Sequence, residues 1–187
     1  MTKPSLVIVL VEDTRQQQFI FRYLRRIGLD THAMRFLLPS SGSGEQWVRE
    51  QLPKELREYR RRSARAETKL IAVIDADKST VQDRLAQLDR KLQEDGVDLI
   101  RAVVEQVARL VPKRNIETWI LCLNGIAVGE RDEDDYKRTR NDWGNLIQPA
   151  ANTLYEWSSP NAQIPGHCIP SLRHGVGELR RLDFSDV

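Results

Sequence analysis

The chain is poor in the residues that mark several protein classes. It has two cysteines, Cys122 and Cys168, and no C-x-x-C pair, which excludes a disulfide framework and a zinc ribbon. It has three histidines, and His167 beside Cys168 finds no matching cluster elsewhere, so the pair reads as structural and not as a metal centre or nucleophile. No apolar run comes near the roughly 20 residues that cross a bilayer. No signal-peptide cleavage pattern follows the early run at 6–11, so a soluble cytoplasmic protein without membrane contact is expected. There is no G-x-x-x-x-G-K phosphate loop, so any nucleotide-driven work falls to a separate partner. Charge of one sign is lacking too, because the formal net charge is only +2. A weak average field cannot steer a polyanion, and a nucleic-acid site has to be a local basic patch.

What is present suffices for a core. A chain of 187 residues with 40% hydrophobic content is expected to form one domain with an appendage. The strand predicted at 5–11 is continuously apolar from Leu6 to Val11, as in a parallel strand covered on both faces. From Thr14 the residues Phe19, Ile20, Tyr23, Leu24 and Ile27 keep one helical face, and Gly28 stops it. A second strand is predicted at 33–38. The loop PSSGSG then leads to a helix through Val48, Leu52, Leu56 and Tyr59, expected to kink or restart at Pro53. A third strand at 70–74 ends in Asp75-Ala76-Asp77. Thr80 is placed to cap a helix through Val81, Leu85, Leu88 and Leu92. Residues 97–111 fit more than one structure, with a strand favoured at 107–111. Asn115 is placed to cap a helix through Ile116, Trp119, Ile120 and Leu123.

The alternation predicts an α/β fold with a mostly parallel sheet of about four strands flanked by helices over residues 1–125. Residues 126–187 read as an extension packed on the same domain, mainly helical or irregular: the acidic run ERDEDD, a Trp/Pro/Asn-rich stretch, and a helix from about Ser171 to Leu182.

Acid stands at the ends of two of the predicted strands, Glu12-Asp13 and Asp75-x-Asp77. In open α/β sheets ligands bind beyond the carboxyl ends of the strands. Alternation along an extended strand end would send Asp75 and Asp77 to one side. Carboxylates that converge repel one another unless a cation lies between them, and hard oxygen ligands suit Mg²⁺ or Mn²⁺. Lys113 and Arg114 precede a predicted helix start, where a phosphate would be favoured. Arg60, Arg61, Arg62 and Arg65 offer a run able to track a nucleic-acid backbone, with a solvated helix end as the plainer account.

Two families place carboxylates in this way. VLVEDTRQQQFIFRYLRRIG resembles the start of a response-regulator receiver domain, in which an acidic pair and a later aspartate hold Mg²⁺ around a phosphorylation site. Receiver domains set the phosphoacceptor much closer to the acidic pair than Asp75 lies to Asp13. They also carry Lys-Pro after a fifth strand, where this chain has Pro112-Lys113. Residues 5–125 more closely resemble the Toprim fold, the Mg²⁺-binding module of topoisomerases, primases and overcoming-lysogenization-defect nucleases. The match lies in Glu12 after the first strand, Asp75 and Asp77 after the third, and VPKRNIETW, which is similar to a segment of small stand-alone Toprim-like proteins, some encoded with phage-defence ATPases. Asp13 stands where many such nucleases have glycine. Ser79 stands where topoisomerases and primases carry a third acid, which leaves hydrolysis favoured over strand passage or primer synthesis.

The resemblance implies a Mg²⁺- or Mn²⁺-dependent nuclease, the effector of a defence-type system with an ATPase partner. Asp75 and Asp77 would hold the metal, Glu12 would be a further ligand or the general base, and Glu117 would complete a second metal site. Lys113 and Arg114 would hold the scissile phosphate of DNA or RNA. Two alternatives accompany it: a non-catalytic Toprim-like subunit that regulates an ATPase, and the receiver domain. An oligomer is compatible with each.

Overall fold

In the computed structural model, which describes residues 4–182 and Phe184, the first apolar run is a strand with both faces covered. β1 (Leu6–Leu10) pairs in parallel with β2 (Met34–Leu37) on one side and with β3 (Thr68–Val73) on the other, and β4 (Val107–Leu110) pairs in parallel with β3. The order is β2-β1-β3-β4. Alternate residues of one strand face opposite layers. Val7, Val9, Ile71 and Val73 join one core, and Ile8, Leu10, Leu70 and Ala72 join the other. Two hydrophobic layers therefore explain why the strands carry no polar alternation.

The second of these cores packs beneath α2 (Gly44–Ser63) and α3 (Val81–Glu94), through Val48, Leu52, Leu56, Leu88 and Leu92. The first packs beneath α1 (Thr14–Ile27), α4 (Ile116–Leu123), α5 (Trp143–Ser158) and α6 (Pro170–Arg181). Local signals set the helix ends. Asp13 caps α1 by accepting from the amides of Arg15 and Gln16, and Gly28 closes it at φ 104°, where a side chain would be strained. Thr80 and Asp83 form a reciprocal capping box on α3, and Asn115 caps α4.

One expectation is corrected. Helix α2 does not restart at Pro53. Pro53 is buried inside it, and the apolar face packed on the sheet outweighs one lost backbone hydrogen bond. The expected helical reading of the extension holds, since the Trp/Pro/Asn-rich stretch forms α5, again with a proline, Pro149, inside it. Its buried residues Ile147, Ala150, Ala151 and Leu154 have helical spacing. Helix α6 lies along the outer edge of β4. There the Glu178 carboxylate accepts from the Arg109 amide at 2.9 Å and the Arg181 guanidinium donates to the Val107 carbonyl at 2.7 Å, so side chains satisfy backbone groups that would otherwise invite another strand. No helix among the described residues is long and apolar enough to cross a membrane.

Candidate active site at the carboxyl ends of the strands

From β1 the chain winds outward to β2, and from β3 to β4, so the order reverses between β1 and β3. A crevice opens at such a reversal, beyond the carboxyl ends of the two strands. The residues that follow these strands are the acids. Glu12 and Asp75 meet there: a Glu12 carboxylate oxygen accepts from the Asp75 amide at 2.6 Å. Gln16, fully buried on α1, ties both together. Its side-chain oxygen accepts from the Glu12 amide at 2.8 Å, and its side-chain nitrogen donates to an Asp75 carboxylate oxygen at 2.9 Å. On the other flank α2 begins against Glu12. A Cβ on Gly44 would lie 2.6 Å from the Glu12 carbonyl oxygen and 2.7 Å from its Cβ, so only glycine admits this approach.

Burial shifts both acids. Desolvation pushes the Glu12 carboxyl up to about 7, helped by the charges of Asp77 and Asp13 and opposed by the Asp75 amide and Arg84. Burial likewise raises Asp75 well above the usual carboxylate range, with Glu12, Glu117 and Asp13 adding to the effect. Glu117, in the first turn of α4, is fully buried. One of its oxygens pairs with Arg15, whose guanidinium lies over the Trp143 ring at 5.1 Å, and the other has no partner. Lys137 stands within electrostatic reach of this group. Partial desolvation lowers its pKa, but the charges of Asp75, Glu117, Asp13 and Glu12 outweigh that and hold it above the ordinary lysine value.

Asp77 departs from expectation. β3 ends at Val73, and Asp77 adopts φ 51°, which breaks the extended alternation. Asp75 is buried, whereas the Asp77 side chain is 65% exposed and lies 3.9 Å from Arg84. The two therefore differ in burial, although the charge of Asp77 still reaches Glu12. Asp77 instead forms an isolated bridge with Arg114, itself at φ 71°. Among the described residues, no group of three or more His, Cys, Asp and Glu side chains is gathered as a ready metal cluster. The acids are held by internal partners: Glu12 by the Asp75 amide, Asp75 by Gln16, and Glu117 by Arg15.

Lys113 and Arg114 lie on the rim, already engaged. The Lys113 ammonium donates to the carbonyls of Lys78 at 3.2 Å and Ser79 at 2.9 Å and meets Asp132 at 3.3 Å. Arg114 donates through Nε to the Asp134 carbonyl at 2.9 Å. The run Arg60, Arg61, Arg62 and Arg65 is elsewhere. α2 begins beside Glu12, and its 20 residues carry the chain roughly 30 Å to the far end of the sheet. There Arg61, Arg62 and Arg65 line a groove with Ser5 and Thr68 of about 390 Å³. Arg60 is consumed by Glu105, at 2.7 and 3.2 Å. His167 rests against the Trp157 ring, 5.9 Å between centroids, and both cysteines are free and buried.

Sequence reasoning overlooked Gln16, Gly44, Arg15 and Lys137. Gln16 carried a readable hint, a polar residue one helical turn before Phe19 and Ile20 on the buried face of α1. Lys137 carried none. Comparison with protein-family models, curated proteins and solved structures finds no match to this chain.

Proposed function

We propose that the protein is a Mg²⁺- or Mn²⁺-dependent phosphodiesterase of nuclease type. One observation carries the reading: Glu12 and Asp75 are locked side by side at the β1/β3 reversal, next to a buried Glu117 oxygen that has no partner. An unsatisfied carboxylate oxygen buried near other acids leaves a donor free for a further cation, and an all-oxygen donor set suits a hard divalent ion. Asp75 and Glu117 would hold the metal, which when bound stabilises charge on the phosphoryl oxygens and acidifies the attacking water. Glu12, with a carboxyl that titrates near 7, is suited to take a proton from that water. Lys137 supplies positive charge beside the acids. Asp77 is left outside this set. The Toprim resemblance thus supports the reading through Glu12 and Asp75 and less through the D-x-D spacing itself. The receiver alternative requires a lysine after a fifth strand, and the sheet among the described residues has four strands.

A second reading, a non-catalytic subunit that regulates a separate ATPase, is favoured by the internal partner that each acid already has. Calorimetry with Mn²⁺, together with cleavage assays on mixed DNA and RNA, separates the two. Saturable Mn²⁺ binding and cleavage by the wild type, both lost in Asp75→Asn, are expected. A folded wild type that binds no divalent ion and cuts neither nucleic acid would overturn the nuclease reading in favour of the subunit.

A further inference from the structure

The acidic run from Glu130 to Asp135 is exposed over most of its length, yet several of its polar groups are tied to the rest of the protein. It lies along the basic rim of the site, and successive residues engage the groups that would receive a phosphodiester strand. The Glu130 carboxylate accepts from the Ser171 amide at 3.2 and 3.4 Å, in the first turn of α6, where no capping side chain of the helix itself serves. Asp132 meets the Lys113 ammonium at 3.3 Å. The Asp134 carbonyl accepts from Arg114 at 2.9 Å, and Asp135 accepts from the side-chain amide of Asn115, the cap of α4, at 3.2 Å. Two residues on, the same segment carries Lys137, its one lysine, exposed and within electrostatic reach of the carboxylates. Acceptor groups cover donors along one short stretch. Carboxylates and a carbonyl of the segment thus occupy cations and helix starts of the kind that hold phosphate oxygens.

We propose that segment 130–137 is an internal substitute for a nucleic-acid strand, and that the shelf beneath it, Lys113, Arg114, Asn115 and the start of α6, binds a phosphodiester backbone when the segment lifts. The inference deepens the phosphodiesterase reading and rests on it for what the strand does there. The contacts of the segment stand without it. Lifting the segment frees the rim for phosphate, so a polyanion would compete with this cover.

The test measures binding without cleavage, in EDTA, with a fluorescein-labelled oligothymidylate as probe. Glu130→Gln with Asp132→Asn and Asp135→Asn removes the cover. A control variant, Glu50→Gln with Asp98→Asn and Glu156→Gln, makes the same charge change at positions elsewhere on the surface. The uncovered variant is expected to bind about tenfold more tightly than wild type, with a salt dependence steeper by about one to two units of slope, and the control less than about threefold more tightly. Adding Lys113→Ala and Arg114→Ala to the uncovered variant should cancel the gain. Equal gains in the two variants, or a gain that survives removal of Lys113 and Arg114, would overturn the proposal. Hydrogen exchange on the wild type needs no substitution: saturating oligonucleotide should raise exchange at 130–137, and a bound complex with unchanged exchange there also overturns it. If the uncovered variant gains affinity while no preparation cuts with metal, only the phosphodiesterase reading fails. Cleavage without any effect of the cover removes only the present inference.

Discussion

The two ends of the sheet handle charge in opposite ways. At the carboxyl end, acids of modest number are buried, and each is held by a named partner: Glu12 by the Asp75 amide, Asp75 by Gln16, Glu117 by Arg15. At the amino end, Arg61, Arg62 and Arg65 line an open groove, and among the described residues Arg61 pairs with an exposed Glu58 at 3.1 Å. In the sequence the arginine run is the louder signal. In the fold the quieter acids have the perturbed chemistry, because burial rather than charge density shifts a pKa and makes each polar interaction costly to remove. The comparison predicts that substitutions at the carboxyl end disturb the whole molecule, whereas those at the amino end do not.

The sharpest contrast should come from Arg15. Its guanidinium is 30% exposed while Glu117 is 1% exposed, so Arg15→Ala leaves a buried carboxylate without its cation. Removing one member of a buried pair typically costs about 3–5 kcal/mol, and the partial exposure of Arg15 sets the expected loss near the lower figure. Urea unfolding measures it. Adding Glu117→Gln should recover about half of the loss, because the stranded charge is then gone. A loss below about 1 kcal/mol would mean that the pair is not what holds Glu117.

Gly44→Ala follows. The added Cβ meets backbone and Cβ atoms of Glu12 at 2.6 to 3.0 Å, so the start of α2 must shift away from the strand end. The expected cost is about 2–3 kcal/mol, read from the unfolding midpoint. Gly144→Ala serves as the reference, because nothing lies within 4 Å of a Cβ there and alanine favours the helix by about 0.5–1 kcal/mol.

The third contrast is in pH. The Glu12 carboxyl rises from 4.5 to about 7 on folding, so between these values the folded protein holds a proton that the unfolded chain has released. Stability is therefore fully present below about pH 4.5 and falls as pH rises through about 7. A shift of this size corresponds to at most about 3 kcal/mol. Asp75 is raised too and acts in the same direction. Urea midpoints measured in EDTA across this range should fall with pH in the wild type and flatten in Glu12→Gln. A wild-type midpoint that rises with pH over the same window would contradict the burial of these acids.

The sequence was legible where structure is decided locally. The cap at Asp13, the stop at Gly28, the Thr80–Asp83 box and the apolar strands each depend on a few neighbouring residues. So did the meeting of Glu12 with Asp75, given a parallel sheet. Other features depend on residues far apart along the chain. Gln16 matters because Asp75 stands beside it across 59 residues of sequence, and Lys137 matters because the chain returns to the site after α4. Asp77 is exposed where Asp75 is buried, after a left-handed backbone angle that no residue type announced. Helix α5 was legible in principle, since its apolar period was complete, but two tryptophans, a proline and asparagines obscured it. The arginine run was visible, and its distance from the site was not, because that depends on α2 running back against the strands.

The smallest expected effect tests the comparison from its quiet side. Arg61, Arg62 and Arg65 are exposed at the end of α2, where cations also complement the helix dipole. Exposed pairs such as Arg61 with Glu58 contribute about 0–1 kcal/mol and are screened by salt, so changing all three to Ala should move stability by no more than about 0.5–1 kcal/mol. If this end does not bind substrate, oligonucleotide affinity should weaken only as expected from removing three general charges, with a change in salt slope no larger than in a triple arginine substitution at Arg22, Arg26 and Arg35. Lys113→Ala with Arg114→Ala in the uncovered protein should instead reduce the slope by about one unit for each phosphate no longer neutralised. Were the Arg61, Arg62 and Arg65 variant to lose the larger share of affinity and slope, the groove at the amino end would be the nucleic-acid site. The acids roughly 30 Å away would then have to act on a strand anchored at the opposite end of the sheet, and the contrast between a chemical end and a merely solvated end would no longer hold.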